Sequence, residues 1–405
     1  MDSTFPTRIG YEEALGLVQA AGITRRLESE RIPIRRADGR VLAEAIAAPI
    51  DLPPFDNSRM DGFAFRHADL AGQGTLKLRL AGEQFAGVDL RLPLAVGECV
   101  RITTGAPMPA DADTVVIKEN TRELDGAVEL AELPARGANV GLKGEDVASG
   151  ASILSAGDVL TPSRASLLSA LGLADVVVTR RPTVAVFTTG DELIEPGMPL
   201  REGQIYNSNR ELLMGLLRQQ GLEPTAWPTL PDDPERVRVM LSDAASAFDL
   251  VLTCGGVSAG EKDYLPAFLG SAGRIHFWKT RIKPGMPVLF GELDRTLVLG
   301  LPGNPVSVLA TFQAFAIPLL DAMQGRATRP RWHARLAAPW QKRHARHEFL
   351  RGRLQPREDG SLWVMPNPAD GSHRLRGAAD SDALIVLPEG ERAYAEGEVV
   401  GVVPY

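Results

Sequence analysis

From about residue 181 to about residue 323 the chain alternates strand-like apolar runs with helical stretches, and this alternation restricts it to very few folds. The run TVAVFTT (183–189) leads through a turn to a helix predicted over 208–220 and closed by Gly221. A strand near 224–229, a helix from Pro234 to about 245 and the strand DLVLTCG (249–255) follow. Another helix is predicted after Lys262, then the short strands IHFWKT, PVLFG and TLVLG, and last a helix from Pro305 to about Met323. Strands and helices joined by short loops predict a doubly wound, mainly parallel α/β sheet. Ligands of such sheets sit beyond the carboxyl ends of the strands, so the residues found there are the first to examine.

Three predicted strand ends carry unusual chemistry. Thr188-Thr189-Gly190-Asp191-Glu192 gathers two hydroxyls, a glycine and two carboxylates, and capping of the next turn accounts for one acid but not easily for both. Cys254-Gly255-Gly256-Val257-Ser258-Ala259-Gly260 precedes Glu261, Lys262, Asp263 and Tyr264. Its glycines allow close backbone approach and an anion cradle, but without the Gly-Lys-Ser/Thr ending it is no P-loop. Leu301-Pro302-Gly303-Asn304-Pro305 places prolines around Gly-Asn, which is stiffer than a bland connection requires. Between the second and third, Lys279, Arg281 and Lys283 alternate, so in an extended strand they project from one face. On most proteins three such cations are merely solvated. In a chain of net charge -7 they are the best candidate for an oxyanion or phosphate site.

Upstream, residues 53–66 read PPFDNSRMDGFAFR. Two prolines stiffen the entry, Asp56-Asn57-Ser58 is turn chemistry, and Asp61-Gly62 marks a second reversal. Phe55, Met60, Phe63 and Phe65 are expected to anchor the segment in a core, which leaves Asp56 and Asp61 either to cap turns or to bind a ligand. Residues 75–132 alternate short apolar runs with turns and predict a β-rich module. Helical patterns at 9–20, with Gly22 as its stop, and at 157–172, capped by Thr161 or Ser163, bracket it. The tail from about 331 is again β. The expected fold class is therefore multidomain α/β: residues 1–48 plus 147–180 form a mixed N-terminal domain and 49–146 an inserted β-rich domain. Residues 181–328 form the doubly wound domain and 329–405 a C-terminal β domain.

Length and charge narrow the function classes. At 405 residues the chain exceeds one ordinary core. Its acidity argues against a nucleic-acid-coating surface. Two cysteines, Cys99 and Cys254, make no disulfide framework, and the six histidines show no zinc spacing. Neither a signal-peptide pattern nor an apolar stretch long enough to span a bilayer is expected, which points to the cytoplasm.

Taken in order, the segments PFDNSxMDG, TGAPxP (Thr104 onward), GED (144–146), TGDEL, IYxSNR, GGVSxGExDY, FWKxxIKPG and LPGNPVS resemble the molybdopterin molybdenumtransferase (MoeA) family, which includes the gephyrin E domain. The resemblance runs from about residue 10 to the C-terminal β region. It implies adenylylated molybdopterin and molybdate as substrates, release of AMP and molybdenum cofactor, and assistance by Mg2+. Onto matching positions it carries the acids Asp61, Asp146, Glu192, Asp232 and Asp263, together with Thr104, Lys279, Lys283, Pro302 and Pro305. Asp61 and Glu192 are the expected Mg2+ ligands. Thr189, Gly190, Gly255, Gly256, Ser258, Arg281, Gly303 and Asn304 complete the expected substrate site.

The same resemblance implies an elongated homodimer whose cleft joins the α/β domain of one subunit to the N-terminal part of the other. Transient contacts with the molybdopterin adenylyltransferase and with acceptor molybdoenzymes or their chaperones are implied too, and neither nucleic acid nor membrane. Met286, Asn207 and Arg59 depart from common family forms, and tungstate-handling paralogues share the motifs. Three other readings compete. The adenylyltransferase shares the glycine and Pro-Gly-Asn-Pro loops but not the upstream acids. A pure scaffold does not need the full set of acids and lysines. A dinucleotide-binding oxidoreductase lacks its G-x-G-x-x-G.

Overall fold

A computed structural model describes residues 5–70, 75–258, 263–369 and 371–405. The predicted doubly wound sheet is present. Its seven strands run in the order Thr7–Ile9, Arg274–Thr280, Leu289–Leu293, Thr296–Leu301, Leu250–Cys254, Val184–Thr188 and Thr225–Ala226. Only Leu289–Leu293 is antiparallel to its neighbours, so the sheet is mainly parallel. Alternate side chains face opposite ways along each strand. Val184, Val186, Leu250, Leu252, Leu297 and Leu299 build one apolar layer. Ala185, Phe187, Val251 and Val298 build the other, against Val237 and Leu241 of helix Pro234–Ala247 and Leu265 and Phe268 of helix Tyr264–Ala272. Both faces are covered by helices, as a parallel sheet requires.

The first strand and helix differ from expectation. Ile9 lies in the edge strand Thr7–Ile9, paired with Trp278 and Thr280, and the helix begins only at Tyr11. Ile9, Ala14 and Val18 pack into the α/β core, so residues 7–24 belong physically with the large sheet. Gly22 does not end the helix, which continues to Thr24. A Cβ built on Gly22 would lie 2.6 Å from Ala322 Cβ and 3.1 Å from the Leu319 carbonyl oxygen, so the glycine permits close helix packing.

Pro305–Gln324 is another departure. By length and composition it could cross a membrane, contrary to the expectation from sequence, yet 78% of its apolar window is buried inside the protein. Its apolarity is that of a core helix. Its middle, Phe312–Ala316, winds as a π-helix between two α-helical segments.

Residues 25–48 and 147–180 share a small core of Ile32, Leu42, Leu160, Leu168 and Val178. Ser29–Pro33 pairs with Asp175–Thr179, and Thr161, not Ser163, caps helix Pro162–Ala170 by accepting from the Arg164 N–H. Between them the inserted module forms a six-stranded sheet around Phe63, Phe65, Leu78, Cys99, Val116 and Val128. Phe55 and Met60, expected in that core, are exposed. The segment carrying them runs outside the sheet, and its backbone bonds to residues 105–108 and 139–144 instead. The C-terminal domain closes five strands into a barrel, because His347–Pro356 pairs with both Leu362–Pro366 and Ala383–Leu387. Closure removes the exposed sheet edges.

Asp249 ties the N-terminal unit to the start of the large sheet. Its carboxylate takes both Arg180 guanidinium nitrogens at 2.6 Å and the Thr183 N–H and hydroxyl at 2.8 and 2.9 Å. Partial burial pushes its carboxyl up, but the Arg180 and Thr183 donors outweigh that and hold it below the usual carboxylate range. Its folded pKa is depressed, so its stabilisation is complete above the unfolded carboxyl pKa and is lost as pH falls through the folded value. Asp249→Ala should lower stability by about 2–3 kcal/mol at neutral pH. The deficit should shrink below about pH 4, read by denaturant melts of both proteins across pH.

Candidate active site

Three loops meet where parallel strands end. Thr188 pairs with Cys254 and Cys254 with Leu301, so residues 189–192, 255–258 and 302–304 leave the sheet side by side. The Thr189 N–H donates to the Cys254 carbonyl at 3.0 Å and the Gly255 N–H to the Leu301 carbonyl at 2.9 Å. Gly255 has φ of +91°, and a Cβ there would stand 2.3 Å from Thr189 Oγ1. Only glycine meets both demands. The Glu192 carboxylate lies over Gly190, Asp191 accepts from the Asp232 N–H, and Asp233 caps helix Pro234–Ala247 as a purely structural acid. Ala259, Gly260, Glu261 and Lys262 lie outside the described residues, so the far half of the expected anion cradle does too.

The third loop is held from two sides. Asn209 Nδ2 donates to the Gly303 carbonyl at 2.6 Å, and Asn304 Nδ2 donates to Ser372 Oγ at 3.0 Å. Pro305 occupies the first turn of its helix, where the missing N–H costs nothing. Ser372 comes from the C-terminal domain, and the buried Arg351 supports it by donating to the Arg374 and Gly371 carbonyls. Neither residue is predicted from sequence. The available signal was an arginine inside the apolar strand HEFLRGRL.

Lys279, Arg281 and Lys283 do not form the single cationic face that alternation predicts. Lys279 has φ of +69°, which breaks the strand geometry. Its ammonium lies 4.2 Å from the Trp278 ring centroid. Trp278 Nε1 in turn donates to the Val257 carbonyl at 2.8 Å, so one indole links the lysine to the glycine loop. Arg281 reaches Glu389 at 3.2 Å, and Lys283 reaches Glu348 at 3.1 Å, both in the C-terminal domain.

The upstream acids form a second group in the inserted module. Asp61 Oδ1 accepts from the Thr104 N–H at 2.8 Å and the Thr104 hydroxyl at 2.9 Å, while Lys118 stands 3.8 Å from Oδ2. The Thr104 N–H, its hydroxyl and the Lys118 charge keep this exposed carboxyl below its usual range. Asp56, in contrast, accepts from the Lys143 N–H at 2.7 Å and builds the turn. In Gly-Glu-Asp, Glu145 pairs with Arg59 at 2.6 Å and accepts from the Leu142 N–H, and Asp146 is exposed. The unusual Arg59 therefore holds one acid of that motif.

Asn207, which is buried, donates to the Thr188 hydroxyl at 2.8 Å and caps the helix Ser208–Gln219 by accepting from the Arg210 N–H. Met286 contributes its backbone carbonyl to Thr280 and Val288. Among the described residues no cluster of three or more histidine, cysteine or acidic side chains is placed to hold a metal.

Cys254 is not a nucleophile. Burial pushes its thiol up to about 12, and its Sγ faces the Pro302 carbonyl at 3.4 Å. Cys99 is likewise pushed up to about 12 by burial. Neither should react with Ellman's reagent in the native protein at pH 8, and both should react in guanidinium chloride; native labelling of Cys254 would show that the strand ends open.

Comparison with known proteins covers almost the whole chain. Residues 9–172 match the MoeA N-terminal region (domain I and II) and residues 185–322 a "Probable molybdopterin binding domain". Residues 333–405 match the MoeA C-terminal region (domain IV). The chain is 39% identical to a molybdopterin molybdenumtransferase of Haemophilus influenzae, over 93% of this chain and 94% of that one. It is 34% identical to a protein of the same name from Nostoc, over 92% and 88%. A solved structure of the molybdopterin biosynthesis moeA protein from Pyrococcus horikoshii superposes with a TM-score of 0.82 at 30% identity, covering 98% of this chain and 100% of the other.

Proposed function

Because this chain belongs to the molybdopterin molybdenumtransferase (MoeA) family, we propose that it transfers molybdate-derived metal to adenylylated molybdopterin, cleaves the phosphoanhydride and releases AMP and molybdenum cofactor. It is a transferase of molybdenum cofactor biosynthesis. The observation that carries the chemistry is the meeting of the Thr189, Gly255 and Gly303 loops at three adjacent parallel strand ends, with Lys279 linked to them through Trp278.

The division of labour follows from charge. A pyrophosphate and an oxyanion need cations and N–H donors, which Lys279, Lys283 and the 255–258 backbone supply. Thr189, Gly190, Ser258, Arg281, Asp232 and Pro302 to Pro305 line the same end of the sheet or its immediate flank and hold the substrate. Cleavage breaks the bond from the AMP phosphorus to the bridging oxygen and forms one to an incoming oxygen nucleophile. Asp61, fixed by Thr104, and Asp146, Glu192 and Asp263 are the acids that orient that nucleophile or accept its proton.

Mg2+ fits the donor set in one respect. Asp61 and Glu192 are exposed hard-oxygen ligands, and Mg2+ commonly takes one or two carboxylates plus substrate phosphates rather than an all-protein cage. Bound there, it would neutralise charge on the phosphoanhydride.

A homodimer with shared sites suits the separation of the two groups of residues. Exposed Phe55, Met60 and Leu142 lie in the segments around Asp61 and Asp146, and exposed Met198, Leu200, Ile205 and Tyr206 lie in the segment after Glu192. Both half-sites thus carry apolar surface that a second copy would cover. Arrival of adenylylated substrate and departure of finished cofactor imply passing contacts with the adenylyltransferase and with acceptor molybdoenzymes or their chaperones, in the cytoplasm.

The test is incubation of the purified protein with adenylylated molybdopterin, Mg2+ and either molybdate or tungstate, followed by assay of AMP. AMP release dependent on molybdate supports the assignment, and preference for tungstate would reassign the metal. No release with either oxyanion, or adenylylation driven by ATP instead, overturns it.

A further inference from the structure

Lys283 is held by a residue of another domain. Ile282–Lys283 leaves the large sheet and pairs in parallel with His347–Glu348 of the C-terminal barrel, Lys283 directly opposite Glu348. The His347 N–H donates to the Arg281 carbonyl at 2.9 Å. Lys283 Nζ stands 3.1 Å from Glu348 Oε1, and His344 Nε2 stands 3.2 Å from the same oxygen. The side-chain exposures are unequal: Glu348 is 3% exposed and Lys283 27%. Glu348 Oε2 is buried without a hydrogen-bond partner among the described residues.

We propose that Glu348 is a positioning residue for Lys283, holding that ammonium in one orientation at the oxyanion end of the site from across the domain boundary. The inference rests on the reading of Lys283 as an oxyanion-binding cation. A lysine is a point charge on a flexible four-carbon stem, so a defined oxyanion contact requires something else to fix it. The buried carboxylate does so, and the β pairing sets the depth at which the two side chains meet.

The pair is not needed as mere adhesive. The same seam already has the backbone pairing and the Arg281–Glu389 bridge, and a buried ion pair adds little net stability beside the cost of desolvating it. The burial of Glu348 also puts the constraint on the carboxylate side, leaving the lysine as the partner that faces outward. His344 Nε2 lies beside the same oxygen, and Lys342, also buried, is bound to the His344 and Gly390 carbonyls, so the groups packed around the carboxylate come from its own domain.

The test is a double-mutant cycle in the full-length protein with Glu348→Gln and Lys283→Ala, followed by molybdate-dependent AMP release. Glu348→Gln should lower kcat/KM about tenfold in the wild-type background and by less than about twofold when Lys283 is already alanine. Glu348→Asp, which keeps the charge on a shorter stem, should recover part of the loss and guards against a folding defect in the glutamine variant. Equal loss in both backgrounds overturns the proposal.

A second readout does not depend on turnover. Acetylation of Lys283 by an N-hydroxysuccinimide ester, followed by peptide mass spectrometry, should be about fivefold faster in Glu348→Gln at unchanged melting temperature. Equal labelling rates overturn the proposal even if the wild-type protein releases no AMP. Absence of AMP release together with faster labelling would overturn the assigned reaction and leave the positioning of Lys283 standing.

Discussion

Asp61→Ala will abolish turnover while leaving the fold intact. The expected fall in AMP release is on the order of a thousandfold, the range for loss of a positioned acid or base. The fold depends little on this carboxylate. It is exposed, its partners are the Thr104 N–H and hydroxyl and the distant Lys118 ammonium, and water can replace it at all three. The melting temperature should therefore be unchanged. Asp61→Asn keeps the shape and the Thr104 bonds but removes the charge, so equal inactivity of the asparagine variant would identify charge as what matters. Asp56→Ala provides the contrast: it breaks the bond to the Lys143 N–H, so it should loosen the 53–61 turn and reduce activity only partly. Full turnover by Asp61→Ala would remove this residue from the reaction.

Mixing two dead proteins will restore activity. Under the shared-site arrangement, Asp61→Ala destroys the half-site from the inserted module and Lys279→Ala the half-site from the α/β domain. Co-expressed with separate tags, the two chains form mixed dimers in which one cleft carries both lesions and the other carries neither. Random pairing makes half the dimers mixed, each with one intact cleft, so about a quarter of wild-type AMP release should return. Purified mixed dimers should show about half. No recovery in a mixture proven to contain mixed dimers would place Asp61 and Lys279 of the same chain in one cleft, and a monomer by sedimentation would exclude sharing altogether.

Much of this site was legible because its residues sit at strand ends, and strand ends are readable from local pattern. Alternating apolar runs followed by Gly-Gly or Pro-Gly-Asn-Pro fix where the backbone must turn, and the sheet then brings three such turns together. What was missed depends on contacts between residues far apart in the chain. Gly22 looked like a helix stop because a glycine after an apolar stripe usually is one. Only the approach of Ala322 explains its place inside the helix.

The cationic stripe at 279–283 failed for a related reason. Side-chain alternation holds only while the backbone stays extended, and Lys279 is in the left-handed region. Phe55 and Met60 were assigned to a core on hydrophobicity alone, although exposed apolar residues are common wherever another surface can cover them. Lys118 and Ser372 carried no local signature, because their roles arise from pairing with Asp61 and Asn304, far away in the chain; Arg351 showed only as an arginine inside an apolar strand.

The edge strand Thr7–Ile9 bears on how the protein is made. Its partner Trp278 lies roughly 270 residues downstream, so this strand leaves the ribosome long before the strand it pairs with. Until then Ile9, Ala14 and Val18 have no core to enter, and the Arg274–Thr280 strand, once synthesised, has an open edge. The domains encoded between them can fold first, each around its own core. Newly synthesised chains therefore pass through a state with an unattached N-terminal segment and an unfinished sheet, and it is in that interval that a chaperone has most to protect.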